Sequence, residues 1–262
     1  MPRFSIVTAV YNGANTILEA LGSVASQSVD VEHIIIDGGS QDRTVEVLRS
    51  YPAQERLHIV SEADGGIYDA MNKGLRMARG QIVGFLNADD FYAGDAVLSQ
   101  VDEVFSDRAV NSCYGDLAYV ARNDLARVTR YWRAGPFRRE AFYHGWMPPH
   151  PTFFVRREIY ERYGAFNLSL GSAADYELML RFLVRHRITT CYIPGLMVKM
   201  RVGGTSNASL LNRLKANRMD RQAWRINQLQ PLPWTLWAKP ARKISQFFPR
   251  LTAIPTTFLT KQ

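Results

Sequence analysis

The sequence predicts an α/β protein with a doubly wound, mostly parallel sheet flanked by helices. Two observations support this fold class. Compact apolar runs rich in β-branched residues alternate with segments whose apolar residues recur at helical spacing, and turn residues such as Gly13 and Gly94 separate them. Strands that are apolar on both faces require helices on each side of the sheet, as in parallel α/β folds.

The first half of the chain predicts four strands that alternate with four helices. The expected strands are Phe4–Val10, His33–Ile36, Leu57–Val60 and Gln81–Leu86, and the expected helices are Asn15–Ser26, Thr44–Tyr51, Ile67–Ala78 and Ala96–Phe105. In the first helix, Ile17, Leu21 and Val24 are spaced to share one face. This half therefore predicts a regular parallel unit.

The alternation becomes less regular after about Asn111. The expected strands are Ser112–Val120, Thr152–Arg156 and Thr189–Ile193, and the expected helices are Glu158–Tyr163 and Tyr176–His186. We expect this half to complete the same sheet and to form one side of a cleft.

The composition limits the compartment and the membrane topology. With 262 residues, 47% of them hydrophobic, the chain is long enough for one large domain or for a domain with an appendage. Cys113 and Cys191 are far apart in sequence and are expected to be free thiols in a reducing compartment. The N-terminal segment is interpreted as a strand, so secretion is not expected. No run reaches the roughly 18 apolar residues of a membrane span.

The net charge of +8 hides an asymmetry along the chain. Residues 1–110 carry 8 Lys and Arg against 16 Asp and Glu, whereas residues 111–262 carry 24 against 8. The basic excess is greatest from Arg213 to Gln262, where ten basic residues face Asp220 alone. The second half is therefore expected to meet an anionic partner, which could be a membrane surface, a lipid phosphate or a nucleic acid.

The last part of the chain, residues 206–262, predicts a helical, basic and amphipathic segment. A helical stretch from Ser206 to Leu229 precedes the proline-marked Pro231–Pro240. Apolar residues then recur at spacings of three and four, with basic residues between them: Trp237, Ala241, Ile244, Phe248 and Leu251, with Lys239, Arg242 and Lys243. This pattern is typical of a helix at a membrane interface, or of a helix that packs on its own domain.

Acidic residues stand at three of the predicted boundaries between strands, loops and helices. Asp37 ends a strand, Asp89 and Asp90 follow another, and Asp175 opens a helix. Ligands of open α/β sheets bind at the carboxyl ends of the strands. These carboxylates therefore suggest a nucleotide held through a metal, with one carboxylate left to act as a base.

The stretch Asn87-Ala88-Asp89-Asp90 follows an almost wholly apolar strand. Adjacent carboxylates repel each other, and a cation would relieve that repulsion. Mg²⁺ or Mn²⁺ takes oxygen ligands and keeps substrate phosphates in its shell. The alternative is an ordinary turn.

The loop Thr8–Gly13 is small and polar, which would let a planar ligand approach closely, although an ordinary strand-to-helix connection would have the same composition. Asp37 could accept the imide proton of a uracil or contact a ribose. Gly38 and Gly39 keep Cβ atoms away from that position.

Together, the motifs VTAVYN, IIIDGGSQDRT, LNADD and ADYELMLR resemble the inverting family 2 glycosyltransferases of the GT-A fold. The resemblance covers roughly Phe4 to Met200. The stretch EADGGIYDAMNKG, Glu62–Gly74, is similar to a bacterial branch associated with exopolysaccharide, O-antigen or colanic-acid-like assembly.

The resemblance implies a donor, a metal and a base. The donor would be a nucleotide-diphosphate sugar, expected to be a UDP-sugar, contacted by Thr8, Ala9, Tyr11, Asn12, Asp37, Asp64, Lys73, Asn87 and Asp89. Asp90, with Asp89, would bind Mg²⁺ or Mn²⁺, and Asp175 would be the general base.

Residues 1–110 would form the nucleotide-binding half and 111–205 the acceptor half of one domain, residues 1–205. The acceptor would be a saccharide or a polyprenyl-diphosphate-linked saccharide. The enzyme would work at the cytoplasmic face of a membrane, held peripherally by the C-terminal segment.

The sequence departs from the family pattern at three positions: Ala174 stands where an acidic residue is frequent, and Asn87 and Gly38 replace frequent aspartates. These departures leave the metal coordination and the helper of the base open. Asp175 itself could also serve as a helix N-cap.

Three further residues have both a site interpretation and a structural one. His150 resembles a family histidine near the diphosphate or acceptor, but could be a turn residue. Trp146 could stack on a sugar or pack in the core. Arg201 could clamp phosphates, with Gly203 and Gly204 as a hinge.

Three other classes of protein share some of these sequence features. A nucleic-acid binder would use the basic half but leaves the acidic strand ends unexplained, so no nucleic acid partner is expected. A nucleotidyltransferase would carry a basic, glycine-rich loop after its first strand, and TAVYNGANT has no basic residue. A catalytically impaired sugar-nucleotide-binding protein stays open because of Ala174.

Overall fold

The computed structural model describes residues 1–52, 54–203, 210–242 and 246. The strands are β1 (Phe4–Val10), β2 (Val31–Asp37), β3 (Leu57–Ser61), β4 (Ile82–Phe85), β5 (Asp90–Tyr92), β6 (Ser112–Ala121), β7 (Asp124–Trp132), β8 (Phe154–Arg156) and β9 (Thr190–Arg201). The helices are α1 (Ile17–Ala25), α2 (Thr44–Ser50), α3 (Ile67–Met77), α4 (Val97–Phe105), α5 (Arg157–Tyr163), α6 (Ala174–Met179), α7 (Leu210–Ile226) and α8 (Thr235–Arg242). Helix α6 continues as a π-helix, Leu180–Arg185.

The strands form one sheet in the order β3-β2-β1-β4-β8-β6-β9-β5, and β7 pairs with β6 outside that order. Strands β3, β2, β1 and β4 are mutually parallel. Strand β8 is antiparallel to both β4 and β6, β6 and β9 are parallel, and β5 is antiparallel to β9. The carboxyl ends of β1, β2 and β4 therefore meet at one edge of the sheet.

Two apolar cores cover the two faces of the sheet. Along β2, Ile34 and Ile36 belong to one core, which includes residues of α3, and Ile35 belongs to the other, which includes residues of α1 and α4. This alternation follows from the two-residue period of a strand. The predicted sheet, covered by helices on both faces, is confirmed.

The second half of the sheet differs from the prediction. Strand β9 runs for twelve residues through Pro194 and Gly195, whereas the apolar pattern predicted only its first part. Strands β5 and β7 were not predicted. They are polar or short, and their pairing with β9 and β6 depends on contacts between distant residues rather than on local pattern.

The described residues of the C-terminal segment pack on the domain. Ala223 and Trp224 of α7 are fully buried in the same core as α6, and the Trp224 indole N–H donates to the Tyr176 hydroxyl at 3.0 Å. Lys239 of α8 forms an ion pair with the buried Asp220 at 2.8 Å. Ile244, Phe248 and Leu251 of the predicted amphipathic pattern lie outside the described residues. Within the described ranges, no helix is long and apolar enough to cross a bilayer.

The two cysteines are free thiols, as predicted. Although they are far apart in sequence, Cys113 on β6 and Cys191 on β9 are direct register partners in the sheet. Burial, with a further contribution from Cys191, raises the pKa of Cys113 well above its usual value, so this thiol stays protonated.

Candidate active site

The loop after β1 is held against the loop after β2. Asn12 adopts a positive φ of 52°, its N–H donates to the Ser40 hydroxyl at 2.7 Å, and its side-chain oxygen accepts from the Gln41 N–H at 2.9 Å. Tyr11 is 61% exposed at the end of β1. An exposed ring beside two pinned loops is suited to stacking on a planar ligand.

Thr8 and Ala9 are buried within β1. The Thr8 hydroxyl lies 2.9 Å from the His33 Nε2, and burial lowers the pKa of His33 to about 3, so this imidazole is neutral. The Thr8 side chain is therefore used inside the sheet, and a ligand contact at these two residues would have to come from the backbone.

Asp37 ends β2 as a fully buried carboxylate. Its Oδ2 accepts from the Ser40 N–H at 3.1 Å and from the Ser61 hydroxyl at 2.7 Å. Its Oδ1 is buried and has no hydrogen-bond partner among the described residues. A buried acceptor without a partner is costly to the fold and is available to a donor group of a ligand.

Asp64 and Lys73 border the same loops. A Cβ atom at Gly38 would lie 2.6 Å from the Asp64 Oδ2, so the glycine permits this close approach. The Lys73 ammonium donates to the Ala63 carbonyl at 2.9 Å and pairs with Glu62 at 2.8 Å. In this structure, Lys73 therefore fastens the loop that carries Asp64.

The turn from Asn87 to Asp90 connects β4 to β5. The Asp90 carboxylate is fully buried, and its Oδ2 accepts from the Asn87 Nδ2 at 2.8 Å. The Oδ1 atoms of Asp90 and Asn87 are buried without partners in the described part of the chain. Burial first, and then the charge of Asp89, hold the pKa of Asp90 well above its usual value, although Asn87 and Arg201 oppose the shift.

These oxygens fit a hard divalent cation. Carboxylate and amide oxygens are ligands of Mg²⁺ and Mn²⁺, and a cation would stabilise the buried charge of Asp90. Residues 1–52, 54–203 and 210–242 contain no group of three His, Cys, Asp or Glu side chains that could hold a metal. A cation at this turn would therefore need further ligands from a substrate or from water.

Arg201 joins this turn to β9. Its guanidinium donates to the Asp89 carbonyl at 2.8 Å, lies 3.4 Å from Glu19, and stands 5.2 Å from the centre of the Phe91 ring. The residue is only 6% exposed. The expected phosphate clamp is therefore engaged within the protein, where it positions Asp89.

Asp175 lies in the first turn of α6, whose N-cap is Ala173, so the structure does not show the N-capping alternative. Its Oδ1 accepts from the Tyr176 N–H at 2.7 Å, and the residue is partly exposed. Burial, the charge of Asp175 and a hydrogen bond to it raise the pKa of Tyr68 well above its usual value. Burial lowers the pKa of His150, and the charge of Asp175 opposes that shift.

An aromatic cluster joins Asp175 to the end of β4. The His150 ring stacks on Phe85 with centroids 5.8 Å apart, and Phe85 lies edge-on to Phe166 at 5.0 Å. Tyr68 contacts Phe166 at 5.4 Å. Because Phe85 precedes Asn87 by only two residues, the carboxylates predicted for the base and for the metal border one region.

Trp146 does not face a sugar site. It is 8% exposed, its indole N–H donates to the Ala134 carbonyl at 2.9 Å, and its ring packs edge-on against Tyr114 and Phe142. The sugar-stacking interpretation is therefore replaced by the packing one, because both the ring and its polar atom are used in the core.

The sequence interpretation missed several residues of the site: Ser40, Ser61, Tyr68, Phe85 and Phe166. Its position in the sequence could have identified Tyr68, since it lies inside the stretch EADGGIYDAMNKG between Asp64 and Lys73, which were both expected to contact the nucleotide sugar. The serines had no comparable signal in the sequence, because their role depends on the packing of neighbouring loops.

Comparison with solved structures shows which fold the chain has. S. aureus TarS 1–349 in complex with UDP-GlcNAc superimposes with a TM-score of 0.68 at 17% identity, over 94% of this chain and 72% of that one. The mannosyltransferase PcManGT from Pyrobaculum calidifontis, in complex with GDP-Man and Mn²⁺, gives a TM-score of 0.63 at 19% identity, over 96% and 76%. The chain has the GT-A fold, as its sequence predicted.

Sequence relatives identify the family. The model for glycosyl transferase family 2 matches residues 5–164. A PGL/p-HBAD biosynthesis glycosyltransferase of Mycobacterium bovis is 29% identical over 211 residues, which is 79% of this chain and 80% of the relative. An uncharacterized glycosyltransferase of Mycobacterium tuberculosis is 33% identical over 184 residues, 69% and 68% of the two chains. The chain belongs to glycosyltransferase family 2 and is a glycosyltransferase.

Proposed function

We propose that this glycosyltransferase is metal-dependent and inverting, and that it transfers a sugar from a nucleotide diphosphate to an acceptor hydroxyl. The observation that carries the proposal is a set of buried oxygens at the strand ends, on Asp37, Asn87 and Asp90, that have no hydrogen-bond partner among the residues that the structure describes. The aromatic cluster of Phe85, His150, Phe166 and Tyr68 connects the turn after β4 to Asp175, the partly exposed carboxylate. Such an arrangement can hold a polar ligand on one side and activate a hydroxyl on the other.

The donor would lie across the ends of β1 and β2. The free Oδ1 of Asp37 would accept the imide proton of a uracil or a ribose hydroxyl, and the exposed ring of Tyr11 would stack on the base. Asn12 and Asp64 border the same loops. Among the structural neighbours one binds UDP-GlcNAc and another GDP-Man. We favour a UDP-sugar, since a carboxylate acceptor matches an imide donor.

The metal would bind at the turn after β4. Asp90 and Asp89 would hold Mg²⁺ or Mn²⁺, with Asn87 as a neighbour, and PcManGT was solved with Mn²⁺. A divalent cation bound there would stabilise the negative charge of the departing diphosphate without a proton transfer. Arg201 would keep the turn in place through the Asp89 carbonyl.

Asp175 would act as the general base. A hydroxyl is a poor nucleophile at neutral pH, so its proton must leave during attack on the anomeric carbon. The carboxylate would take that proton while the nucleoside diphosphate departs from the opposite face, which inverts the anomeric centre. In this chain, Ala174 stands where an acidic neighbour of the base is frequent. Tyr68 and His150, which interact electrostatically with Asp175, would position the base in its place.

The acceptor side is proposed from charge. Residues 111–262 carry 24 Lys and Arg against 8 Asp and Glu. A saccharide linked to a polyprenyl diphosphate, presented at the cytoplasmic face of a membrane with anionic lipids, would match this excess. The product would then be a surface polysaccharide or its lipid-linked precursor.

A thermal-shift screen of nucleotide sugars, with and without Mn²⁺, tests the donor and the metal together. For the wild type, a UDP-sugar with Mn²⁺ should raise Tm by several degrees, whereas each alone should do less. Asp90→Asn should remove the metal-dependent part. Its apo form should melt at a slightly higher temperature than the wild type, because the cost of burying an ionisable carboxylate at this position is gone.

Asp95→Asn is the matched control, since this aspartate is exposed five residues further along. It should behave as the wild type. An equal response to Mn²⁺ in wild type and Asp90→Asn would contradict the proposed metal site, and no response to any nucleotide sugar would contradict the proposed donor class.

A further inference from the structure

A groove of about 440 Å³ lies between the end of α7 and the start of α8, and none of the candidate active-site residues lines it. Arg221 and Arg225 of α7 line one side. The connecting segment supplies an apolar lining: Leu229, Pro231, Leu232 and Pro233, with Leu236 of α8. The groove thus combines two cations with an apolar floor.

The two guanidinium groups are free to bind an anion. Arg221 and Arg225 are exposed, and they are four residues apart, which places them on the same face of α7. Neither guanidinium group has a hydrogen bond or an ion pair with any described residue. The nearby Asp220 carboxylate is instead paired with Lys239. The positive charge of the groove is therefore not neutralised by the described acidic side chains.

Two tryptophans at this end of the domain are exposed. Trp234 is 51% exposed and Trp237 is 72% exposed, although both belong to the segment that leads into α8 and forms its first turn. Exposed indoles are unfavourable in water but suited to the boundary between lipid headgroups and acyl chains. Their neighbour Leu236 is buried and the Trp234 indole N–H donates to the His144 Nδ1 at 3.4 Å, so the segment is anchored to the domain while the Trp237 ring stays mostly exposed.

We propose that this groove is a binding site for an anionic phospholipid, through which the enzyme rests on the membrane. The headgroup phosphate would lie between Arg221 and Arg225, the leucines and prolines would contact the upper acyl chains, and Trp234 and Trp237 would enter the interface. A phospholipid matches both the charge and the apolar floor, whereas a nucleic acid would leave that floor exposed. The inference deepens the membrane part of the proposed function and rests on it.

The position of the groove has a consequence for the active site. On the buried side of α7, Trp224 bonds to Tyr176, and Asn227 donates to Glu177 at 3.0 Å. Both partners directly follow Asp175 in α6. A lipid bound to the exposed side of α7 would therefore place the base at a fixed height above the membrane, where a lipid-linked acceptor is presented.

Flotation of the full chain with lipid vesicles tests the proposal. The wild type should bind vesicles of phosphatidylglycerol and phosphatidylcholine, but bind vesicles of phosphatidylcholine alone at least tenfold more weakly. The double variant Arg221→Gln, Arg225→Gln should lose roughly tenfold to thirtyfold in affinity for the anionic vesicles. Trp237→Ala should weaken binding further, with less quenching of tryptophan fluorescence by brominated lipid.

Arg127→Gln, an exposed position on β7, controls for the general loss of positive charge and should leave binding unchanged. Deletion of residues 243–262 separates the groove from the end of the chain. The deleted protein should keep anionic binding that still depends on Arg221 and Arg225. Complete loss on deletion, with no effect of the arginine variants, would overturn the proposal.

Two further measurements separate this inference from the function itself. Nucleotide-sugar binding by the arginine variants should match the wild type in the thermal-shift assay, so a failure of vesicle binding leaves the donor and metal results intact. Inorganic phosphate should compete only weakly with vesicles. A phospholipid site would be ruled out if free phosphate competed as well as anionic vesicles do. It would also be ruled out if a single-stranded oligonucleotide bound more tightly than the vesicles and the arginine variants abolished that binding.

Discussion

Both halves of the chain bury carboxylates, but only residues 1–110 leave a buried carboxylate oxygen without a partner in the described part of the chain. In the second half, both Asp116 oxygens are bonded: Oδ1 accepts from the Ala134 N–H and the Tyr192 hydroxyl at 2.8 Å each, and Oδ2 from the Tyr131 hydroxyl at 3.0 Å. Glu177 and Asp220 are likewise paired, with Arg181 and Lys239. In the first half, Asp37 and Asp90 each keep one buried oxygen without a partner among the described residues.

This difference separates structural from functional burial of charge. A buried carboxylate whose oxygens all accept hydrogen bonds helps to specify the packing around it. One with a buried oxygen that accepts none costs free energy, and a bound ligand can offset that cost. The unsatisfied oxygens lie at the ends of β2 and β4–β5, where open α/β sheets bind ligands. In the proposed mechanism, the first half of the chain would therefore hold the ligand, and the second half would supply the base, Asp175.

The largest expected effect comes from Asp175→Asn. The amide keeps the shape of the side chain but cannot take a proton, so transfer should fall by about a hundredfold to ten-thousandfold. Nucleotide-sugar binding and Tm should stay near the wild-type values, because the proposed donor and metal residues in the first half of the chain are unchanged. A transfer assay with product analysis by NMR would report both rate and anomeric configuration. Turnover near the wild-type level, or a retained configuration, would contradict the proposed mechanism.

Trp224→Ala tests whether the second half depends on the C-terminal helices. The side chain is fully buried and bonds to Tyr176, so its truncation should cost about 3–5 kcal/mol of stability and lower Tm by roughly 6–20 °C. Trp237→Ala is the matched control, because that ring is mostly exposed. It should change Tm by less than about 2 °C. Similar melting temperatures for the two variants would show that α7 is an appendage rather than part of the core.

The smallest expected effect is that of Tyr68→Phe, which removes one hydroxyl near Asp175 and keeps the ring against Phe166. A hydrogen bond to a charged group contributes about 1.5–3 kcal/mol, so transfer should slow by roughly tenfold to a hundredfold. Donor binding should not change. Tyr163→Phe is the control, because that ring stacks on His186 rather than on the aromatic cluster near Asp175. A fall in kcat without a change in Tm would identify Tyr68 as a positioning residue, whereas parallel losses of kcat and Tm would assign it to packing alone.

The sequence predicted the elements that carry a strong local pattern. Strands β1, β2 and β4 are buried along their length and rich in apolar residues, and each was expected within a few residues of its observed bounds. The acidic residues at their ends were found for the same reason, since a polar residue after an apolar run marks the end of a buried strand. The resemblance to a family added the proposed role of Asp175 as a general base. The local sequence pattern alone did not distinguish a base at this position from a helix N-cap.

Other features had no local signature. Strand β7 is mostly exposed and polar, and β5 has only three residues, so both exist because a neighbouring strand offers hydrogen bonds. Trp146 and Arg201 were plausible ligand contacts by residue type, but their polar atoms are used within the protein. Residue type alone cannot show whether a hydrogen-bonding group already has a partner.

By itself, the sequence determined the class of the fold, the alternation of β-strands and α-helices in residues 1–110 and the contrast in charge between the two halves. These features follow from hydrophobic periodicity and composition, which act over a few residues or over the whole chain. Only the tertiary structure decided which buried oxygens of Asp37, Asn87 and Asp90 lack partners within the described part of the chain, and that Tyr68 and His150 lie near Asp175. The physical reason is that hydrogen-bond satisfaction depends on the positions of groups from distant parts of the chain.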